Sequence, residues 1–175
     1  VLALLLATPA SAVQLTFSPR AAVSAGVISW NSPLRSYGGG GAAIGFTAQS
    51  LRFDVDTILG ASLSDVLLGG GLNGSSQRNR FPWHNQVFIS AAWRLPTESS
   101  YELWVGGGLG AVSTQFNGGD VVGIATHPAL SFDARLRVPL ASWIAIAADF
   151  RLPLGIEPSL MPSFIVGAEL KLGDP

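Results

Sequence analysis

The sequence contains no cysteine. That excludes disulfides, thiolate metal sites, a cysteine nucleophile and a lipoprotein anchor. It is also short of charge: Asp, Glu, Lys and Arg make up 12%, against about 25% in ordinary soluble domains. The net charge of −1 and pI near 6.1 leave no basic field for nucleic acid. Long hydrophobic runs are missing too. Mean hydropathy is +0.41, yet no apolar stretch reaches the roughly 18 residues that a membrane-crossing helix needs. A chain of 175 residues has room for one domain. High hydropathy with few charges and no spanning helix points to β-structure in a membrane.

The first twelve residues, VLALLLATPASA, stand apart. An apolar core is followed by the small-residue cleavage pattern Ala10-Ser11-Ala12. The expectation is the C-terminal part of a secretory signal peptide over 1–12, with the mature chain starting near Val13 and exported.

From there the dominant signal is a period of two. In Leu51 to Leu63 the odd positions read Leu, Phe, Val, Thr, Leu, Ala, Leu, and the even positions carry Arg52, Asp54 and Asp56. Alternation of this kind means an extended strand, because successive side chains leave opposite sides of the pleat. About 9–11 tilted residues suffice for a strand to cross a bilayer. Seven further segments carry related patterns. The first lies within Thr16 to Trp30, where an inward Arg20 would put the even residues inside. The second spans about Gly40 to Ala48 and joins Leu51 through Gln49-Ser50. The fourth is Gln86 to Leu95, with Arg94 opposite its apolar set. The fifth, Tyr101 to about Phe116, has Glu102 and Trp104 on the inward phase. The sixth runs from about Val122 to Val138, interrupted at Pro128, with Asp133, Arg135 and Arg137 on one side. The seventh, Trp143 to Leu152, carries Asp149 and Arg151, and the eighth, Ser163 to Leu172, carries Glu169 and Lys171. Loops are expected at Trp30–Tyr37, Ser64–Asn85, Asn117–Asp120 and Pro153–Pro162, alternating with short turns.

Every strand charge beyond Arg20 falls on the face opposite the apolar residues. A soluble sandwich shows the same alternation with its apolar face inward. Three features favour the opposite orientation: low total charge, long strands, and aromatics near strand ends. Trp93 and Tyr101 lie toward the turn side, and Trp30, Tyr37, Trp83 and Phe164 toward the loop side, as in the interfacial girdles of membrane barrels. Trp104 and Trp143 both fall on the inward phase. The predicted fold is an all-β, eight-stranded antiparallel transmembrane up-and-down barrel over 13–175. Its oily wall looks at lipid. A lumenal charge network of Arg52, Asp54, Asp56, Arg94, Glu102, Asp133, Arg135, Arg137, Asp149, Arg151, Glu169 and Lys171 fills an interior just wide enough for side chains.

With these strands and the closing VGAELKL (Val166 to Leu172), the chain resembles the small outer-membrane β-barrels of the OmpA/OmpX type, here without a periplasmic peptidoglycan-binding domain. The resemblance implies short turns and both termini on the periplasmic side, and long loops outside the cell. It implies outer-membrane lipid, lipopolysaccharide and the assembly machinery as partners, with a possible extracellular partner reached through the loops. Such barrels usually end on an aromatic residue that the assembly machinery reads; here the last residues are Leu170-Lys171-Leu172-Gly173-Asp174-Pro175. No cofactor or metal is implied.

Other motifs are weaker. Gly69 to Gly74 fits G-x-G-x-x-G, but no helix follows, so a loop is expected rather than a dinucleotide site. Arg78 and Arg80 with Trp83 and His84 form a basic, aromatic loop cluster suited to lipopolysaccharide phosphates or a partner. His84 in the outer loop and His127 near the outer end of the sixth strand are candidate rim histidines. Ser113, Ser131, Asp120 and Glu157 are the hydroxyls and acids within reach of a lipid A- or phospholipid-modifying site. The leading expectation is a non-enzymatic structural or surface-interaction barrel. A lipid-modifying enzyme and a narrow ion or solute channel are the alternatives.

Overall fold

In the computed structural model the described residues are 13–26, 35–63, 83–118, 121–155 and 161–172. The expected signal peptide at 1–12 and the loop residues Arg78 and Arg80 lie outside them. Eight strands follow in chain order: β1 Gln14–Gly26, β2 Arg35–Ala48, β3 Leu51–Ser62, β4 Trp83–Leu95, β5 Glu102–Gly118, β6 Val121–Pro139, β7 Ile144–Gly155 and β8 Ser163–Leu172. Each pairs antiparallel with its sequence neighbours, and β1 pairs with β8, so the sheet closes into a barrel. Closure removes every free edge along the wall, which is what an environment without water requires of a sheet.

Alternation sets which way the side chains look. Along β3 the burial pattern flips at nearly every residue. Phe53, Val55 and Leu59 are 37%, 55% and 58% exposed, while Arg52, Asp54 and Asp56 are 1%, 4% and 2%. Leu136 and Ile146 stand out on β6 and β7, and Arg135 and Asp149 point in. In β1 the even residues from Thr16 to Ser24 are buried, which places Arg20 inside. The molecule is therefore oily outside and ionic within.

The wall needs room for long side chains inside a narrow tube, and glycine supplies it. Arg20 is directly cross-strand from Gly41 on one side and Gly167 on the other. A Cβ on Gly45 would fall on Asp54 Oδ1, and one on Gly110 would lie 2.6 Å from the Phe88 ring. The two-residue turn Gln49–Ser50 joins β2 to β3 with Ala48 opposite Leu51, and Gln49 adopts φ 54°. Two-residue hairpins of this kind demand a left-handed residue to match the strand twist.

Several boundaries differ from the sequence expectation. β2 starts at Arg35, so Tyr37 belongs to a strand, points inward and is 1% exposed rather than part of a girdle. β4 starts at Trp83, which brings His84 out of the expected loop into the wall. Pro128 does not interrupt β6; it pairs with Ala111 on β5. It lies outside the part of β6 that pairs with β7, which begins at Ala129, so its missing N–H costs the ladder little. β7 continues through Pro153 to Gly155. Trp143 is not inward: it sits in the β6–β7 turn, 60% exposed, where its carbonyl accepts from Lys171 N at 2.9 Å. It joins the exposed Trp93 and Tyr101 at the turn end.

Candidate functional site

The inward side chains are stacked in layers along the lumen. On β1 the inward positions read Ser24, Ala22, Arg20 from the loop end inward, and on β8 Ser163, Ile165, Gly167, Glu169. β4 gives Gln86 then Phe88, and β6 gives Ala129, Ser131, Asp133. The layers are neutral polar, then apolar, then charged.

The charged layer forms one connected chain. At its turn end Arg137 Nη1 lies 3.1 Å from Glu102 Oε2, and its Nε donates to Glu169 Oε1 at 2.7 Å. Arg52 Nη1 reaches the other Glu169 oxygen at 2.6 Å. Arg52 also donates to both oxygens of Asp54, from Nη2 and Nε, each at 2.9 Å. Arg135 bridges Asp54 at 2.9 Å to Asp149, which it grips through two bonds of 2.6 and 2.8 Å. Arg20 spans Asp149 at 3.5 Å and Asp56 at 3.3 Å. Arg151 holds Asp56 in a two-bond fork of 2.7 and 2.6 Å and donates its Nε to Asp133 at 2.7 Å. Acid and base alternate without exception along this path. Arg94 at the open mouth, its side chain 45% exposed and 3.7 Å from Glu102, makes the signs equal.

Such alternation is what low dielectric demands. A guanidinium deprived of water needs carboxylates around its fork, and a carboxylate needs several donors. β2 between Ser36 and Ala48 contributes no charged residue and offers glycine space instead. Trp104, 2% exposed, lies one inward step from Glu102 and donates Nε1 to Glu102 Oε2 at 3.2 Å. Strand alternation puts it on the same inward face as Glu102, and the bond satisfies its indole N–H there. A cavity of about 20 Å³ remains beside Trp104 and Asp54, room for about one water.

Arg20, whose inward position the alternation of β1 alone leaves to assumption, is central to the path. Lys171 is half-buried on the inward phase of β8 and stands apart from the path.

On the loop side of the charges, the Phe88 ring faces the Arg151 guanidinium, 4.7 Å from ring centroid to Cζ. With Val112 and Ala129, and with Ala22, Ile58 and Ile165, it forms the apolar layer. Next comes a neutral polar cluster. His84 Nδ1 is 3.1 Å from Thr114 Oγ1, and its Nε2 is 2.9 Å from Gln86 Nε2. Gln86 Nε2 also donates to Ser163 Oγ at 2.9 Å, and Ser163 Oγ is 2.7 Å from Ser24 Oγ. The Tyr37 ring lies 5.1 Å from that of His84. His84 is 1% exposed, so it is not the surface contact expected of it. The sequence hid this cluster because its members come from β1, β2, β4, β5 and β8. Trp83, the neighbouring residue, is half-buried on the outer wall. His127 is half-buried on β6, opposite Val112. Ser113 bonds Thr126 on the outer wall at 2.9 Å and Ser131 donates to Asp133 at 2.8 Å, so these hydroxyls do not converge with either histidine. Asp120 and Glu157 lie outside the described residues.

A closed antiparallel barrel of eight strands, apolar without and charged within, has the fold of the small outer-membrane β-barrels. No family model matches the chain, and no curated protein matches it in sequence. Solved structures do match. Neisserial surface protein A superposes with TM-score 0.68 at 14% identity, covering 93% of this chain and 100% of that one. Ail, the attachment invasion locus protein of Yersinia pestis, gives TM-score 0.62 at 13% identity over 91% and 98%. The N-terminal β-barrel domain of Pseudomonas aeruginosa OprF gives 0.56 at 14% identity over 91% and 100%. At these identities the likeness is one of fold.

Proposed function

We propose that this protein is a small integral outer-membrane barrel with a structural or surface-interaction role and a sealed lumen. The observation that carries the reading is the unbroken alternation of acid and base from Glu102 to Asp133 inside an apolar wall. A soluble barrel would wet its charges; here lipid is the only solvent that suits the exterior. The path takes up the lumenal carboxylates and guanidiniums in mutual bonds. Trp104 and Phe88 close what is left, so ions have no water column to follow.

The short turns then face the periplasm and the connections 27–34, 64–82, 119–120 and 156–160 face outside, as barrels of this kind are oriented. The names of two fold relatives, a surface protein and an attachment and invasion protein, favour partners met at that outer end. Arg78 and Arg80, in the connection that ends at Trp83, provide guanidiniums for lipopolysaccharide phosphates. A lipid-modifying site built on His84 is disfavoured, because this ring is buried and its Nε2 is occupied by Gln86.

Planar-bilayer recording of the purified protein tests the seal. No conductance steps are expected, and stable open steps would sink it. Single cysteines placed in an otherwise cysteine-free chain test orientation. Labelling of intact cells at position 75 but not at position 98 is expected; the reverse overturns it. Unchanged lipid A mass spectra with and without the protein are expected on the non-enzymatic reading.

A further inference from the structure

We propose that His84 and the Gln86 carboxamide form a proton-operated switch within a hydrogen-bonded brace that crosses the loop end of the barrel. It rests on the membrane-barrel reading only in giving this end a solvent from which a proton arrives.

The brace runs Ser24 on β1, Ser163 on β8, Gln86 and His84 on β4, and Thr114 on β5. Its polarity follows from counting hydrogens. The Gln86 Nε2 carries two and accepts none. It sits 2.9 Å from both His84 Nε2 and Ser163 Oγ, so it spends one hydrogen on each. His84 Nε2 is then a bare acceptor, and the neutral ring carries its hydrogen on Nδ1, donated to Thr114 Oγ1. Ser163 passes its own hydrogen to Ser24 Oγ or to the Met161 carbonyl, 3.4 Å away. One group is wasted: Gln86 Oε1 is fully buried and has no hydrogen-bond partner among the described residues.

That orphan is the second state in waiting. When a proton from solvent binds at Nε2, an N–H faces the Gln86 amine, and two donors oppose each other. A half-turn of the Gln86 amide replaces Nε2 with Oε1. The oxygen then accepts from His84 Nε2–H and from the Ser163 hydroxyl. Ser24 in turn donates to Ser163. One added proton thus reverses the direction of the bonds from His84 to Ser24, with no covalent bond broken. The amine inherits the unpartnered position, so each state leaves one amide group unsatisfied and the proton decides between them.

The surroundings leave that decision to hydrogen bonds rather than to a fixed counter-charge. His84 faces the Tyr37 ring from β2, Gly60 from β3 and Thr114 from β5. His127 on β6 shares the level of Gln86 through Val112. From β7 the nearest charged group is Arg151, beyond Phe88 and committed to Asp56 and Asp133. From β1 and β8 come only the two serines of the brace. No carboxylate bonds the ring among the described residues. The strands tied by the brace carry the loop-side connections, so the switch acts where those connections are rooted.

The experiment is ¹⁵N NMR of the whole barrel in lipid nanodiscs, with histidine and glutamine side chains labelled, titrated from roughly pH 8 down to roughly pH 3, because burial opposes the charged form of an imidazole. At the start His84 is expected with Nδ1 protonated and Nε2 bare. On acidification Nε2 gains its proton, and the Gln86 amide resonances shift with the same midpoint. Gln86→Glu, which puts an acceptor permanently at that place, is expected to hold His84 doubly protonated throughout. Gln86→Leu is expected to let His84 titrate with no accompanying change at Ser163. An Nε2–H tautomer at the start overturns the proposal. So does a titration of His84 that leaves the Gln86 resonances still, or a singly protonated ring throughout in the wild type. These readouts come from the wild type and do not depend on which way the barrel lies in a cell. Failure here with correct cysteine labelling separates the switch from the membrane reading.

Discussion

The two polar layers of the lumen solve the same problem by different chemistry. The charged layer holds groups that a low-dielectric interior does not tolerate alone, so its buried carboxylates are each fixed by two partners: Asp54 by Arg52 and Arg135, Asp56 by Arg20 and Arg151. The layer nearer the loops uses neutral hydroxyls, an amide and an imidazole, and among the described residues it leaves Tyr37 Oη and Gln86 Oε1 without a hydrogen-bond partner, whereas the charged-layer atom without a hydrogen bond, Glu169 Oε2, is still held by Arg52 Nη1 at 2.6 Å. Ions force completeness because an unpaired one costs several kcal/mol. Neutral groups permit slack, because an orphan among them costs about 1–3 kcal/mol. The fully ion-paired layer lies toward the turn end of the barrel and the incompletely bonded neutral one toward its loops.

Mutations that unbalance the charged layer are expected to have the largest effect. Asp56→Ala takes one of two carboxylates from both Arg151 and Arg20, leaving them Asp133 and Asp149, and should cost about 3–5 kcal/mol, read as a lowered urea midpoint for refolding into liposomes. The double change Asp56→Leu with Arg151→Met should recover most of that loss, because it removes both ends of the fork. If it stays as damaged as the single variant, pairing is not what the layer contributes. Next comes the wall that the charges hide behind. Val55→Arg, near the middle of β3 and facing out, should cost about 2–4 kcal/mol in the same assay. A neutral outcome there would mean that the exterior does not meet lipid. Between the layers, Gly110→Val drives a Cβ into the Val87 carbonyl oxygen and then the Phe88 ring and should cost about 1–3 kcal/mol by overpacking. Smallest is Ser24→Ala in the neutral brace, expected at about 0.5–1.5 kcal/mol. A loss there as large as that of Asp56→Ala would erase the distinction between the two layers.

Most of the wall was legible in the chain because a period of two leaves little choice. Once Phe53 and Val55 look one way, Arg52 and Asp54 must look the other, and β8 runs from Ser163 to Leu172 as its pattern implied. Strand ends were less legible. Tyr37 and His84 sit beside glycine-, serine- and asparagine-rich segments that read as loop, and only pairing with β3 and β5 draws them into the wall. Trp143 was misplaced by one step of phase, because alternation counts only inside a strand and β7 begins at Ile144.

The sequence by itself determined the count of strands, their inward and outward faces and the near-neutrality of the interior, since these depend on spacing along one strand. Which arginine meets which aspartate, and the meeting of Ser24, Ser163, Gln86, His84 and Thr114, were decided only by closure. Partners as far apart in the chain as Asp56 and Arg151 come within bonding distance because β1 pairs with β8. The stagger of eight strands then sets who shares a level, and no local pattern carries that stagger.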